Sequence, residues 1–141
     1  MGLKKIGKYE AEYKEVTHSI EVTVSPEYLE EQSSPHDDYY VWAYHIHIKN
    51  LGEETVQLLH RYWRITDAKG HVEEVHGPGV VGEQPTLKTN EEFTYTSGTY
   101  LPTPSGIMFG KYEMMAEDGT TFEINIPAFS LDVPGQYVLP N

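Results

Sequence analysis

The sequence predicts an all-β domain, an antiparallel sandwich or barrel, on three observations. Apolar residues recur with a period of two along most of the chain, the pattern of strands that bury one face. Seven or eight such runs follow one another, separated by clusters of Gly, Pro, Asn and Asp. No segment carries a helical apolar stripe of ten or more residues.

Each element follows from its own pattern. Residues 1–17 are polar, without a core-facing rhythm, and are expected to form a loosely ordered extension. Ile20, Val22 and Val24 then alternate with Glu21 and Thr23 up to Pro26, and a short second run, Tyr28 to Gln32, ends at Ser33-Ser34-Pro35. The clearest strand is Tyr39 to Lys49. Tyr40, Trp42, Tyr44, Ile46 and Ile48 form an aromatic and β-branched stripe for the core, and Val41, Ala43, His45, His47 and Lys49 face outward. Asn50 to Glu53 is a turn, Val56 to Thr66 the next strand, and Asp67-Ala68-Lys69-Gly70 another turn. A short polar run, His71 to His76, suits a sheet edge because Glu73 and Glu74 at its centre discourage pairing with other chains. The loop Gly77 to Pro85 follows, then strands around Phe93 to Ser97, Ile107 to Met115 and Thr121 to Leu131. One domain is expected over residues 18–134, with an irregular tail at 135–141.

Composition narrows the function. There is no cysteine, which removes disulfides, thiolate metal sites and a cysteine nucleophile, and fits a reducing, cytoplasmic setting. No run approaches the roughly 18 apolar residues of a membrane span, and the N-terminal lysines lack the apolar stretch of a secretory signal. The net charge is −12, and residues 15–141 hold only six basic side chains against twenty acidic ones. Such a surface repels phosphate backbones and attracts basic partners, so neither nucleic acid nor a membrane is expected as a ligand.

Three constellations bear on chemistry. Gly77-Pro78-Gly79-Val80-Val81-Gly82 satisfies G-x-G-x-x-G, yet Glu83-Gln84-Pro85 follows where a phosphate site needs a helix, and Pro78 lacks an N–H. A glycine-rich connection between strands is the simpler reading. His45 and His47 share one strand face and could share a transition metal, with His60 on the next strand a third ligand if register allowed; otherwise they are exposed polar residues. Arg61-Tyr62-Trp63-Arg64 carries the only two arginines. Alternation puts Trp63 and Ile65 on one face and Tyr62 and Arg64 on the other. The bland reading makes Trp63 a core residue and pairs the arginines with carboxylates; the functional one makes the run a partner anchor. Adjacent carboxylates, as at Glu73-Glu74 and Glu91-Glu92, point to opposite faces of a strand or sit at turns, and no nucleophile signature is present. No catalytic residue and no cofactor is expected.

Several short blocks, in order, carry a resemblance. They are Tyr40-Val41-Trp42-Ala43-Tyr44, Ile48-Lys49-Asn50-Leu51-Gly52, Val56-Gln57-Leu58-Leu59, Arg61-Tyr62-Trp63-Arg64-Ile65-Thr66, Gly77 through Pro85, Tyr95-Thr96-Ser97-Gly98, Tyr112-Glu113-Met114 and Ile126-Pro127-Ala128-Phe129. Over residues 18–134 the chain resembles the bacterial ApaG family, whose domain is similar to one found in F-box proteins. The resemblance implies a fibronectin type III-like sandwich, a link to cobalt and magnesium tolerance, and no catalytic residues to carry over. The function expected is a non-catalytic module that binds another protein, as a monomer or homodimer, through Gly77, Gly79, Val80, Val81, Gly82, Glu83, Arg61, Tyr62 and Arg64. The competing reading is a phosphate or nucleotide binder or hydrolase using the 77–82 loop.

Overall fold

A computed structural model describes residues 11–135. Two antiparallel sheets pack face to face. The first has the order β1 (Tyr13–Thr17), β2 (Ile20–Tyr28), β3 (Tyr40–Asn50) and β7 (Glu92–Leu101). The second runs β5 (Val72–Pro78), β4 (Val56–Asp67), β8 (Ser105–Ala116) and β9 (Thr121–Asp132), with the two-residue β6 (Thr86–Leu87) also on β4. Setting β1 and β6 aside, three strands facing four in this connectivity is the fibronectin type III arrangement. No helix of the described residues is long and apolar enough to cross a membrane.

The period-two stripes supply the core. Tyr40, Trp42, Tyr44, Ile46 and Ile48 of β3 are all buried, beside Ile20, Val22 and Val24 of β2. Across the gap lie Leu58, Trp63 and Ile65 of β4, Met108, Tyr112 and Met114 of β8, and Ile124, Ile126, Phe129 and Leu131 of β9. Trp63 stacks edge-on against Tyr44 at 5.1 Å between ring centres, and the Trp42 indole donates to the Asp132 carbonyl at 2.9 Å.

Two strands change phase midway. On β4 the register with β8 slips between Leu58 and His60, so Val56 and Leu58 face inward before the slip, and Arg61, Trp63 and Ile65 after it. One extra residue in a strand inverts every side chain beyond it, and this bulge is what turns Arg61 toward the interior. On β9 the slip falls at Pro127-Ala128, opposite Phe109. Proline has no N–H for the ladder, so a bulge is where it is tolerated.

Two expectations are corrected. Residues 13–17 are no loose extension: Tyr13–Thr17 is β1, paired residue for residue with β2. Of its inward side chains only Tyr13 is apolar. Glu15 and Thr17 meet Asn125 of β9, whose side-chain amide donates to Glu15 at 3.0 Å and whose backbone N–H donates to Thr17 at 3.2 Å. A strand that serves a polar edge shows no apolar alternation. The second run is not a separate strand either. β2 continues through Pro26 to Tyr28, the proline nitrogen facing away from β3, and Glu30–Gln32 is a single 3-10 turn. Residues 1–10 of the expected extension and 136–141 of the expected tail lie outside the described residues.

Candidate functional site

The loop that leaves β5 is built on Arg61. The bulge in β4 places this residue opposite Gly77 of β5. A β-carbon at Gly77 would lie 2.8 Å from Arg61 Nη1, so a larger residue there would push the guanidinium from its place against the backbone. Nη1 donates to the carbonyls of Pro78 and Gly79, both at 3.0 Å. The bland expectation that the arginines pair with carboxylates therefore fails for Arg61, which goes to two backbone oxygens.

Beneath it are buried hydroxyls. Tyr95 and Tyr112 share a short hydrogen bond, and Ser97 hydrogen-bonds Tyr44. Burial raises the phenol pKa of all three tyrosines, well above 10 for Tyr112, and the nearby Arg61 charge only partly opposes the shift. The cluster is thus a set of neutral phenols close enough to Arg61 to feel its charge.

From this support the loop closes into a two-residue turn. Gly79 donates its N–H to the Leu59 carbonyl at 2.8 Å. Val80 and Glu83 exchange both backbone hydrogen bonds, 2.8 and 2.9 Å. The central residues, Val81 at φ 42° and Gly82 at φ 82°, both lie in the left-handed region, which makes this a type I′ turn. Such turns favour Asn-Gly, and a β-branched residue at positive φ is a genuine outlier. Val80 is 1% exposed and anchors the loop in the core; Val81 is 55% exposed and points out. Gln84 ties the base down by donating to the Leu59 carbonyl at 2.8 Å, and Gln57 donates to the Gln84 carbonyl at 3.1 Å.

The same geometry bears on the phosphate-cradle reading. The N–H groups of Gly79, Val80 and Glu83 are spent inside the loop, Pro78 has none, and a strand follows in place of a helix. Val81 and Gly82 are left, beside the exposed Glu83 carboxylate. A cradle needs several convergent donors and a helix dipole.

Tyr62 and Arg64 lie on the outer face of the second sheet, as alternation requires. The Tyr62 hydroxyl donates to Glu74, which with burial and the carboxylate charge raises its pKa, and its ring stacks on His76 at 4.9 Å. Arg64 is exposed, opposite Phe109 of β8 and Glu74 of β5.

The three histidines are not brought together. His45 and His47 share the outer face of the first sheet. His45 bridges Thr96 at 2.8 Å and Glu27 at 2.9 Å, and His47 makes a short contact with Glu92 that lowers the carboxyl pKa of Glu92. His60 lies on the opposite sheet, paired with Glu113 at 2.6 Å. β3 and β4 are consecutive in sequence but belong to different layers, so no register could have joined them. Among the described residues no group of three or more His, Cys, Asp or Glu is placed to hold a metal ion.

Sequence reasoning missed the tyrosine cluster under Arg61 and the outward Val72, Ile107 and Phe109 on the second sheet. The second was visible as apolar residues at both parities of one run, Ile107 to Phe109, which a strand buried on one face does not need.

Fold and site together define an open β-sandwich of fibronectin type III topology that presents an arginine-braced loop. The chain belongs to the ApaG family: the ApaG domain description matches residues 30–116. It is similar to Protein ApaG of Parvibaculum lavamentivorans, 64% identical over 122 residues that make up 86% of this chain and 94% of that one. Protein ApaG of Rhodospirillum centenum is 60% identical over 129 residues, 92% and 99% of the two chains. Among solved structures, the Bordetella pertussis protein named ApaA superposes with a TM-score of 0.81 at 46% identity, over 83% of this chain and 95% of that one.

Proposed function

We propose that the chain is a non-catalytic protein-binding module of the cytoplasm, and that its contact surface centres on Gly77–Glu83, with Tyr62 and Arg64 on the adjoining sheet face. The observation that carries this reading is Val81. An exposed apolar side chain held at positive φ costs about 1–2 kcal/mol of backbone strain and gains nothing by burial. Its cost is offset only if something outside the chain covers it. The surroundings suit that role: Val80 below, Arg61 clasping the loop and Gln84 tying its base leave little conformational entropy to lose on binding. Glu83 and the acidic surface favour a basic partner and a salt-sensitive association rate. The cobalt and magnesium link that the family resemblance implies would then act through that partner.

The test separates turn geometry from recognition. Val81→Asn supplies the Asn-Gly pair that type I′ turns prefer and removes the apolar tip. Recovery of partners from native cell extract should fall sharply while the melting temperature rises. Unchanged recovery with the raised melting temperature would sink the reading, because Val81 would then be a costly turn residue and nothing else.

A further inference from the structure

An open sandwich has four sheet edges, and three of these are guarded. β1 and β9 lie side by side, with Glu15 and Thr17 of β1 accepting hydrogen bonds from Asn125 of β9. β5 carries Glu73 and Glu74 and ends in Pro78, all of which discourage another strand. β7 has none of these devices. It is ten residues long, pairs with β3 without a register shift, contains no proline, and is uncharged from Phe93 to Leu101.

Among the described residues no strand pairs with the outer edge of β7, and the hydrogen-bonding groups it presents there can be named. Asn50 of β3 donates to the Glu91 carbonyl at 3.0 Å, and Val41 accepts from Leu29 on the opposite side at 2.9 Å. Even residues of β3 therefore bond toward β7 and odd ones toward β2. With Ile46 opposite Tyr95, the β7 residues that bond to β3 are Phe93, Tyr95, Ser97, Thr99 and Leu101. Thr94, Thr96, Gly98 and Tyr100 direct their backbone N–H and C=O groups to the open edge.

A second observation concerns the layer opposite. On the inner face of the second sheet, Ile65 and Trp63 of β4 are buried, whereas their β5 neighbours Glu73 and Val75 are exposed and half-buried. The first sheet ends at β7, whose Tyr95 hydroxyl meets Tyr112 of β8, and it leaves the inner face of β5 open. It is one strand short of covering β5, and the missing place adjoins the unguarded edge.

We infer that β7 accepts an added strand from a protein partner, an extended segment with apolar side chains on one face and basic ones on the other and at its ends. The apolar face covers Val75. The outer basic face meets Glu92, and a basic residue at one end answers Glu73 beside Val75, since β5 and β7 together contain no lysine or arginine. A second copy of this chain fits less well, because it would bring another net charge of −12 and a second Glu92. The inference rests on the protein-binding reading but not on the Gly77–Glu83 loop, and main-chain pairing at an edge is an established way for one chain to hold another.

The experiment is amide hydrogen exchange on the full chain with a synthetic ten-residue peptide alternating valine and lysine, against one alternating valine and glutamate. The lysine peptide should slow exchange at Thr94, Thr96, Gly98 and Tyr100 by about tenfold or more, and the glutamate peptide should not. Thr94→Pro removes one edge donor while sparing the β3 ladder and should weaken the lysine peptide about tenfold. If that variant fails to fold, Thr94→Lys, on an exposed site, should weaken it through like charge. Equal binding of both peptides, or no protection at those four amides, overturns the inference. Protection that grows with protein concentration alone means the strand comes from a second copy and overturns the stated partner. Changes confined to Gly77–Glu83 abolish strand addition yet leave the protein-binding reading standing.

Discussion

Two turns flanking β5 obey opposite rules. At Asp67–His71 the chain reverses with matching chemistry. The Asp67 carboxylate accepts from the N–H groups of Lys69 at 2.8 Å and His71 at 3.0 Å, and the one left-handed position, φ 89°, is Gly70. At Val80–Glu83 the first left-handed position holds a valine that points into solvent. The first turn is held mostly by its own groups, with one outside bond from the Ala68 N–H to the Thr103 hydroxyl at 3.1 Å. The second is held in an unfavoured conformation by the frame around it: Arg61 on the carbonyls of Pro78 and Gly79, Gly79 bonded to Leu59, Val80 in the core. This strain, at a site that is also exposed, is the observation behind the contact surface we propose.

Substitutions can break this comparison, and the largest effect should come from the frame. A β-carbon at Gly79 would overlap the Glu83 carbonyl oxygen, at a residue with φ 62°. Gly79→Ala should therefore cost about 3 kcal/mol, combining strain with a clash, read as a lower denaturation midpoint with unchanged m-value. Gly70→Ala meets open space on all sides, so only the positive φ matters. Its cost should be about 1–2 kcal/mol, and equal losses at the two glycines would refute the clash.

A smaller change of opposite sign is expected at the strained turn. Val81→Asn should stabilise by about 1 kcal/mol, the relief of a β-branched residue from the left-handed region. Destabilisation would mean that the valine packs and that the two turns differ less than their angles suggest.

Acid should act through the unstrained turn. Burial alone would raise the Asp67 pKa, but the backbone N–H groups of His71 and Lys69, with the His71 charge, outweigh it and the pKa is lowered. A depressed folded pKa contributes stability that is complete above the ordinary aspartate value of about 3.9 and is lost as pH falls through the folded value. Melting temperature should drop below about pH 4, and Asp67→Asn should flatten part of that drop. An identical acid profile in the variant would remove Asp67 from the account.

The strands of the core were legible because a half-buried strand must alternate, and Tyr40 to Ile48 alternates, with Ala43 the one outward residue that is buried. Parity broke down where register slips. Nothing local announces that β4 gains a residue between Leu58 and His60, since the slip is defined only against β8. Trp63 is readable as core and Arg61 shares its face by alternation, but that Arg61 supports a loop depends on Gly77 of β5 lying opposite it, which the β4 run alone does not show.

By itself, then, the amino-acid order determined the fold class, the inward stripe of β3, the edge character of β5 and the absence of thiol chemistry, because each depends on side chains within a few residues of one another. Tertiary structure decided the rest. It put His60 on a different layer from His45 and His47, made β1 a strand by giving Glu15 and Thr17 a partner in Asn125, and sent Val80 inward and Val81 outward. Those outcomes depend on which distant backbone lies alongside, and register between strands is a property of the pair that neither strand carries alone.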